Sequence, residues 1–194
     1  MSRPTLDYEN TWKRDGCGRV AGIDEAGRGP LAGPVSVAAV ILPDGFEHGM
    51  LNDSKQLTEA RRERIYEELV CCEGLHWNVV LIEADEIDRV NILQATHSAM
   101  RRAALALDPA PDVVLIDGLK VPRFPIKQQA LVKGDSLSLS IAAASVPAAG
   151  SPCTANHTAR RTSSSTHASL TRSPSKPITG IAHLAPQTHP DTAA

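Results

Sequence analysis

Two apolar runs open the pattern. Residues 19–24, RVAGID, are mostly apolar up to a final acid, and residues 34–42, PVSVAAVIL, are rich in Val, Ala and Ile. Short β-branched runs bounded by turn residues predict strands. The glycine-rich turn between them is short enough for antiparallel pairing. Residues 43–57, PDGFEHGMLNDSKQL, read as a loop by their Pro, Gly and Asn-Asp content. Thr58 is placed to cap a helix over EARRERIYEELVCC, where Ile65, Leu69 and Cys72 at i, i+4 and i+7 give one apolar face. HWNVVLI (76–82) predicts a third strand. Asn91 is placed to cap a second helix, ILQATHSAMRRAALAL, with Ile92, Ala95, Ala99 and Ala103 on one side, and DPAPD breaks it. VVLID (113–117) is a fully apolar strand that also ends on an acid, as suits the centre of a covered sheet. QQALVKGD predicts a last short strand, and SLSLSIAAASV a helix of small residues fit for close packing.

That order, strand, strand, helix, strand, helix, strand, strand, helix, predicts an α/β domain with a mixed sheet. Residues 1–18 read as an N-terminal arm and 19–146 as the domain. After Val146 the chain turns to Ala, Ser, Thr and Pro, with no glutamate and no sustained apolar period. Such a segment buries too little surface to offset chain entropy, so residues 147–194 read as a disordered tail. Pro147 lacks a backbone donor and, with Gly150 close behind, is expected to end the last helix early.

Composition narrows the class. The chain has 194 residues, 42% hydrophobic and 22% charged, with only 3% aromatic. This is a globular composition with an aliphatic core. No run of 18 apolar residues is present, and the polar start, MSRPTLDYENTWKRDG, does not read as a secretory signal. The four cysteines show no C-x-x-C spacing and read as reduced thiols of a cytoplasmic protein. Cys153 with His157 and His167 makes a poor zinc set, better read as scattered tail residues. A net charge of −2 gives no overall basic signature for nucleic acid. Residues 151–194 hold four basic residues and one acid, which leaves 16 basic and 21 acidic in residues 1–150. An acidic domain is expected if carboxylates gather around a divalent cation.

The candidate chemistry lies in GIDEAGRGPLAGPV (22–35). Asp24 ends one strand and Asp117 another. If the two strands are parallel neighbours, both carboxylates emerge at one sheet edge, where open α/β sheets place their sites. Glu25 points to the other face if the strand continues, though its longer side chain can reach back. Three convergent carboxylates are hard oxygen ligands, suited to Mg²⁺ or Mn²⁺. Gly27 and Gly29 let backbone N–H groups approach a phosphate, and Arg28 can hold one with its fork of donors. As single residues, strand-end aspartates are usually turn formers; the Asp-Glu pair before Gly-Arg-Gly is harder to explain so. A dinucleotide loop fits poorly: position 32 is Ala, and Pro30 and Pro34 leave no helix for a pyrophosphate.

GIDEAGRGPLAGPV, LNDSKQL, NILQATHSAM, VLIDG and KGDSLSLSIAAAS closely resemble type II ribonuclease H, a bacterial enzyme that cuts RNA in RNA–DNA hybrids. The resemblance spans about Arg19 to Val146. It implies an RNase H-like mixed five-stranded sheet flanked by helices. It also implies Mn²⁺ or Mg²⁺ on Asp24, Glu25 and Asp117, acting catalytically by two-metal hydrolysis. Gly27, Arg28 and Gly29 are then expected to contact the ribonucleotide and its 2′-hydroxyl. The implied partners are RNA–DNA hybrids and ribonucleotide-containing duplex DNA, cut on the 5′ side of the ribonucleotide to leave a 5′-phosphate. The implied enzyme is a monomer that needs no membrane. Asp53 and Lys55 fall in the loop of the DSK motif, with roles in loop structure or substrate approach. Asn91 reads as a helix cap. Lys133 and Asp135 read as organisers of the turn before the last helix, with Lys133 able to touch a phosphate.

The resemblance stops near Val146. Family members continue with LAKVTRD, whose aspartate is read as the site's fourth acid, and then with a KGYGT-like segment. Counted without gaps, the fourth acid falls at Cys153. The abrupt change reads as a reading-frame shift near Val146; the other reading is a natural disordered tail. Two functions stand: an active endoribonuclease, and an impaired relative that lacks the fourth acid and the substrate-sensing segment.

Overall fold

The computed structural model describes residues 3–28, 34–49, 51 and 58–150. Five strands form one sheet in the order β3-β2-β1-β4-β5. They are β1 (Val20–Ala26), β2 (Val35–Ile41), β3 (His76–Ile82), β4 (Val113–Asp117) and β5 (Lys127–Leu131). β2 pairs antiparallel with β1 and β3, and β4 pairs parallel with β1 and β5. The mixed sheet expected from the pattern is therefore present. Its register starts at a fixed point: Asp112 accepts from the Arg19 backbone N–H at 2.9 Å and from the Arg19 guanidinium at 2.8 Å.

Strand alternation sorts side chains to two faces. Ala21, Ile23, Val114 and Ile116 share one cluster with Ala95, Ala99 and Ala103 of α4 (Ile92–Leu105), and Ile87 of α3 (Ala84–Val90) packs against it. On the opposite face, Ala38 and Val40 meet Ile65 and Leu69 of α2 (Glu59–Val70) and Ala143 and Ala144 of α5 (Leu139–Gly150). Val20, Val113 and Leu115 meet Ile141 there, with Tyr8 and Trp12 of α1 (Asp7–Arg14) against them. The small side chains of α5 bring its backbone onto β1. A Cβ added at Gly22 would lie 2.1 Å from the Ser140 carbonyl carbon and 2.3 Å from the Ile141 nitrogen.

Several expectations need amendment. Helices α1 and α3 were not read from the sequence; each is short and presents few apolar positions. Thr58 stands at the N-cap of α2 but makes no capping hydrogen bond through its side chain. Asn91 does cap α4, its side chain accepting from the Gln94 N–H at 3.0 Å. Pro147 does not end α5, which runs to Gly150. One missing donor removes one helical bond, and Pro147 is held in an apolar surround with Val40, Leu69 and Trp77. The tail from residue 151, with Cys153, His157 and His167, lies outside the described residues, as do Gly29, Asp53 and Lys55.

Candidate metal centre

β1 and β4 run parallel with Ile23 abreast of Ile116. One residue further on stand Asp24 and Asp117, which the period of two puts on the α5 face of the sheet. Asp117 ends β4 as expected, but Asp24 does not end its strand: β1 continues to Ala26 because it keeps pairing with β2 beyond the last residue it shares with β4. Asp24 is 7% exposed. Its Oδ1 accepts from the Glu25 backbone N–H at 2.8 Å. Asp117 Oδ1 accepts from the Gly134 N–H at 2.6 Å. That bond ties the end of β4 to a 3₁₀ turn, Gly134–Ser136, which leads into α5. Gly134 sits in a tight place: an added Cβ would displace the tip of Ile141 and press on Leu131 Cβ at 3.2 Å and Asp117 Oδ1 at 3.3 Å.

The same turn carries Asp135, itself buried. Burial first, then the charges of Asp117, Glu25 and Asp135, push the Asp24 carboxyl up to about 8, against a partial offset from its bond to the Glu25 N–H. Asp135 therefore belongs to the acidic cluster. The sequence reading made it a turn organiser and put the fourth acid at position 153, which is outside the described residues. A missed signal was available: the turn that follows β5 lies at the same sheet edge as the end of β4, because the two strands are parallel neighbours.

Glu25 takes the other face, as alternation requires. Its Oε1 accepts from Arg28 Nη1 at 2.9 Å, and its buried Oε2 has no hydrogen-bond partner among the described residues. Gly27 has φ +91° and would bring a Cβ within 2.5 Å of the Pro34 carbonyl oxygen, so both backbone and space demand glycine. On α4, the half-buried His97 is held below the usual imidazole range by burial and by the charges of Arg101 and Arg28. This histidine was not singled out from the sequence. Lys133 is exposed, with φ 58°, at the entrance to the 3₁₀ turn.

Among the described residues, no three Asp, Glu, His or Cys side chains stand in a ready-made ligating arrangement. Asp24, Glu25 and Asp117 are each turned to a local donor. The donor set still fits a hard divalent cation: oxygens only, like charges close enough to raise Asp24, and a buried Glu25 oxygen left without a bond. Zinc, which favours nitrogen and sulfur, fits less well.

The family model described as Ribonuclease HII matches residues 21–152. The chain is 52% identical over 139 residues to a ribonuclease HII of Moorella thermoacetica, which covers 72% of this chain and 67% of that one. To the ribonuclease HII of Ruegeria pomeroyi it is 50% identical over 153 residues, 76% of this chain and 63% of that one. A crystal structure of ribonuclease H2 from Pyrococcus horikoshii superposes with a TM-score of 0.59 at 26% identity, over 67% of this chain and 70% of that one. The chain thus spans roughly two thirds of these relatives' length. Motif order and sheet topology agree with these matches, and the chain belongs to the ribonuclease HII family.

Proposed function

We propose that this chain is a metal-dependent endoribonuclease acting on RNA–DNA hybrids and on single ribonucleotides embedded in duplex DNA. One observation carries the reading: Asp24 and Asp117 each follow the last paired residues of the adjacent parallel strands β1 and β4 on one face, and Asp135 adds its charge to theirs. Asp24, Glu25, Asp117 and Asp135 would hold Mg²⁺ or Mn²⁺. When bound, such ions supply an activated water and stabilise charge on both sides of an in-line phosphodiester displacement. The remaining steps fall to the chain. Arg28, at present paired with Glu25, is placed to exchange that partner for a phosphate. Gly27, with Gly29 in the loop beyond the described residues, lets backbone approach the ribose and test its 2′-hydroxyl. Lys133 and Lys55 would meet backbone phosphates and fix register rather than sequence. The products would be a 3′-hydroxyl and a 5′-phosphate. The free thiols of Cys17, Cys71 and Cys72 are in keeping with a cytoplasmic setting.

The impaired-relative reading rests on the loss of family pattern after Val146. Asp135 weakens its main premise, a missing fourth acid. What is left of it concerns the KGYGT-like segment, which would position substrate.

Melting curves test the metal site. Mn²⁺ or Mg²⁺ that binds only the folded state should raise the melting temperature in a concentration-dependent way. The double change Asp24→Asn with Asp117→Asn should abolish the shift. An unchanged shift in the double variant places the metal elsewhere.

A further inference from the structure

Glu9 is a charged side chain from the N-terminal arm, yet it is 2% exposed. Its Oε1 accepts three hydrogen bonds: from Ser138 Oγ at 2.6 Å, Ser140 Oγ at 2.6 Å and the Ser140 backbone N–H at 2.9 Å. Ser138 and Ser140 are fully buried. Glu9 thus adds an acceptor for the first turn of α5 from another helix, beside Ser138, whose own Oγ accepts from the Ile141 N–H at 3.3 Å. Negative charge is favoured there. Backbone bonds add to the tie. The Thr5 N–H donates to the Leu137 carbonyl at 3.1 Å, and the Leu139 N–H donates to the Thr5 carbonyl at 2.9 Å. Seen from the other side, the Leu137 and Ser138 N–H groups both donate to the Gly134 carbonyl, at 2.9 and 2.8 Å. Gly134 in turn donates to Asp117. The 3₁₀ turn bearing Asp135 is therefore held between Asp117 on one side and the Glu9 and Thr5 anchors on the other.

We infer that Glu9 is a positioning residue for the divalent-metal centre: by fixing the junction between the 3₁₀ turn and α5, it sets where Asp135 and the Gly134–Asp117 bond lie. The inference rests on the proposed metal site and extends it to a residue 126 positions before Asp135 in the chain. Outer residues that orient metal ligands commonly change affinity by about 10- to 100-fold when removed. A carboxylate with three donors on one oxygen has few alternatives, so the turn should lose its set position when Glu9 is truncated.

The test uses the full chain and Mn²⁺ alone, with free Mn²⁺ counted by its electron paramagnetic resonance signal. Glu9→Ala should weaken Mn²⁺ binding about tenfold. In an Asp135→Asn background the same change should cost clearly less, because of the two things Glu9 positions only the Gly134–Asp117 bond is left. Leu69→Ala, on α2 in the core, serves as a stability control: with a comparable loss of melting temperature it should leave Mn²⁺ affinity unaltered. Glu9→Gln keeps an acceptor oxygen for the serines and should retain most of the affinity. This variant reports on the site even if Glu9→Ala fails to fold. Full affinity in a folded Glu9→Ala protein overturns the inference and leaves the metal site standing. An equal loss with and without the Asp135 carboxylate, matched by an equal loss in Leu69→Ala, also overturns it, since Glu9 would then act only through general stability. If the unaltered chain itself binds no Mn²⁺, the metal-site reading fails first and the inference with it.

Discussion

Asp24 is buried among other acids, and its burial, more than any one neighbour, pushes its carboxyl up to about 8. In the unfolded chain the group titrates near the ordinary 3.8. Between those values the folded state holds a proton that the unfolded chain has lost, so folding stability falls as pH rises. Above about 8 both states are ionised and the contribution is flat. With a chelator present, the melting temperature of the chain should therefore decline from about pH 5 to about pH 8 relative to that of Asp24→Asn, whose amide does not titrate. Parallel curves for the two proteins across that window would contradict the buried, repelled carboxyl. A divalent cation should shrink the difference, because it favours the ionised form. At this scale the sequence showed much of the cluster. Asp24 and Asp117 were legible because each ends an apolar run, and Glu25 by adjacency. Asp135 was not, because its nearness to Asp24 depends on the Gly134–Asp117 bond rather than on any local spacing. His97 sits in an ordinary helical pattern with Arg101 one turn on; its burial and the approach of Arg28 come from the fold.

Helix α5 and strand β1 approach so closely that Gly22 has no room for a side chain. A methyl group there would overlap the backbone of Ser140 and Ile141, which cannot swing away as a flexible side chain would. Gly22→Ala is expected to destabilise the fold by about 3 kcal/mol or more, at the upper end of overpacking effects. Urea denaturation should show this as a lower midpoint with a similar slope. A loss of under about 1 kcal/mol would mean that α5 shifts freely, contrary to its role as a fixed wall of the metal site. The small-residue run SIAAAS announced that approach, and the strands and α4 were legible from period and β-branching. Helix α1 was not, since DYENTWKR reads as polar and its inward residues, Tyr8, Glu9 and Trp12, include a charge. Pro147 points the other way: local backbone chemistry argues for a stop, yet α5 runs on through it to Gly150, at the loss of one helical hydrogen bond.

Across the described residues, helices cover both faces of one five-stranded sheet, and the acids gather just past the point where the pairing of β1 with β4 stops. No helix among those residues is long and apolar enough to cross a membrane. The family match supports a ribonuclease H activity, and the phosphodiester it would cut is part of the proposal. The measurement that tests this most directly is single-turnover cleavage of a duplex with one embedded ribonucleotide, in Mg²⁺ and separately in Mn²⁺. A chimera in which LAKVTRD and the rest of a family C-terminus replace residues 147–194 serves as the reference. The account expects a single metal-dependent cut on the 5′ side of the ribonucleotide, slower than the chimera's because the substrate-positioning segment is absent. Asp24→Asn should lower the rate by about 100- to 1,000-fold, the usual cost of removing one preorganised electrostatic group. Cleavage that persists in chelator, or that Asp24→Asn leaves within a few-fold of the unaltered chain, would contradict the claim that this acidic cluster is the catalytic centre.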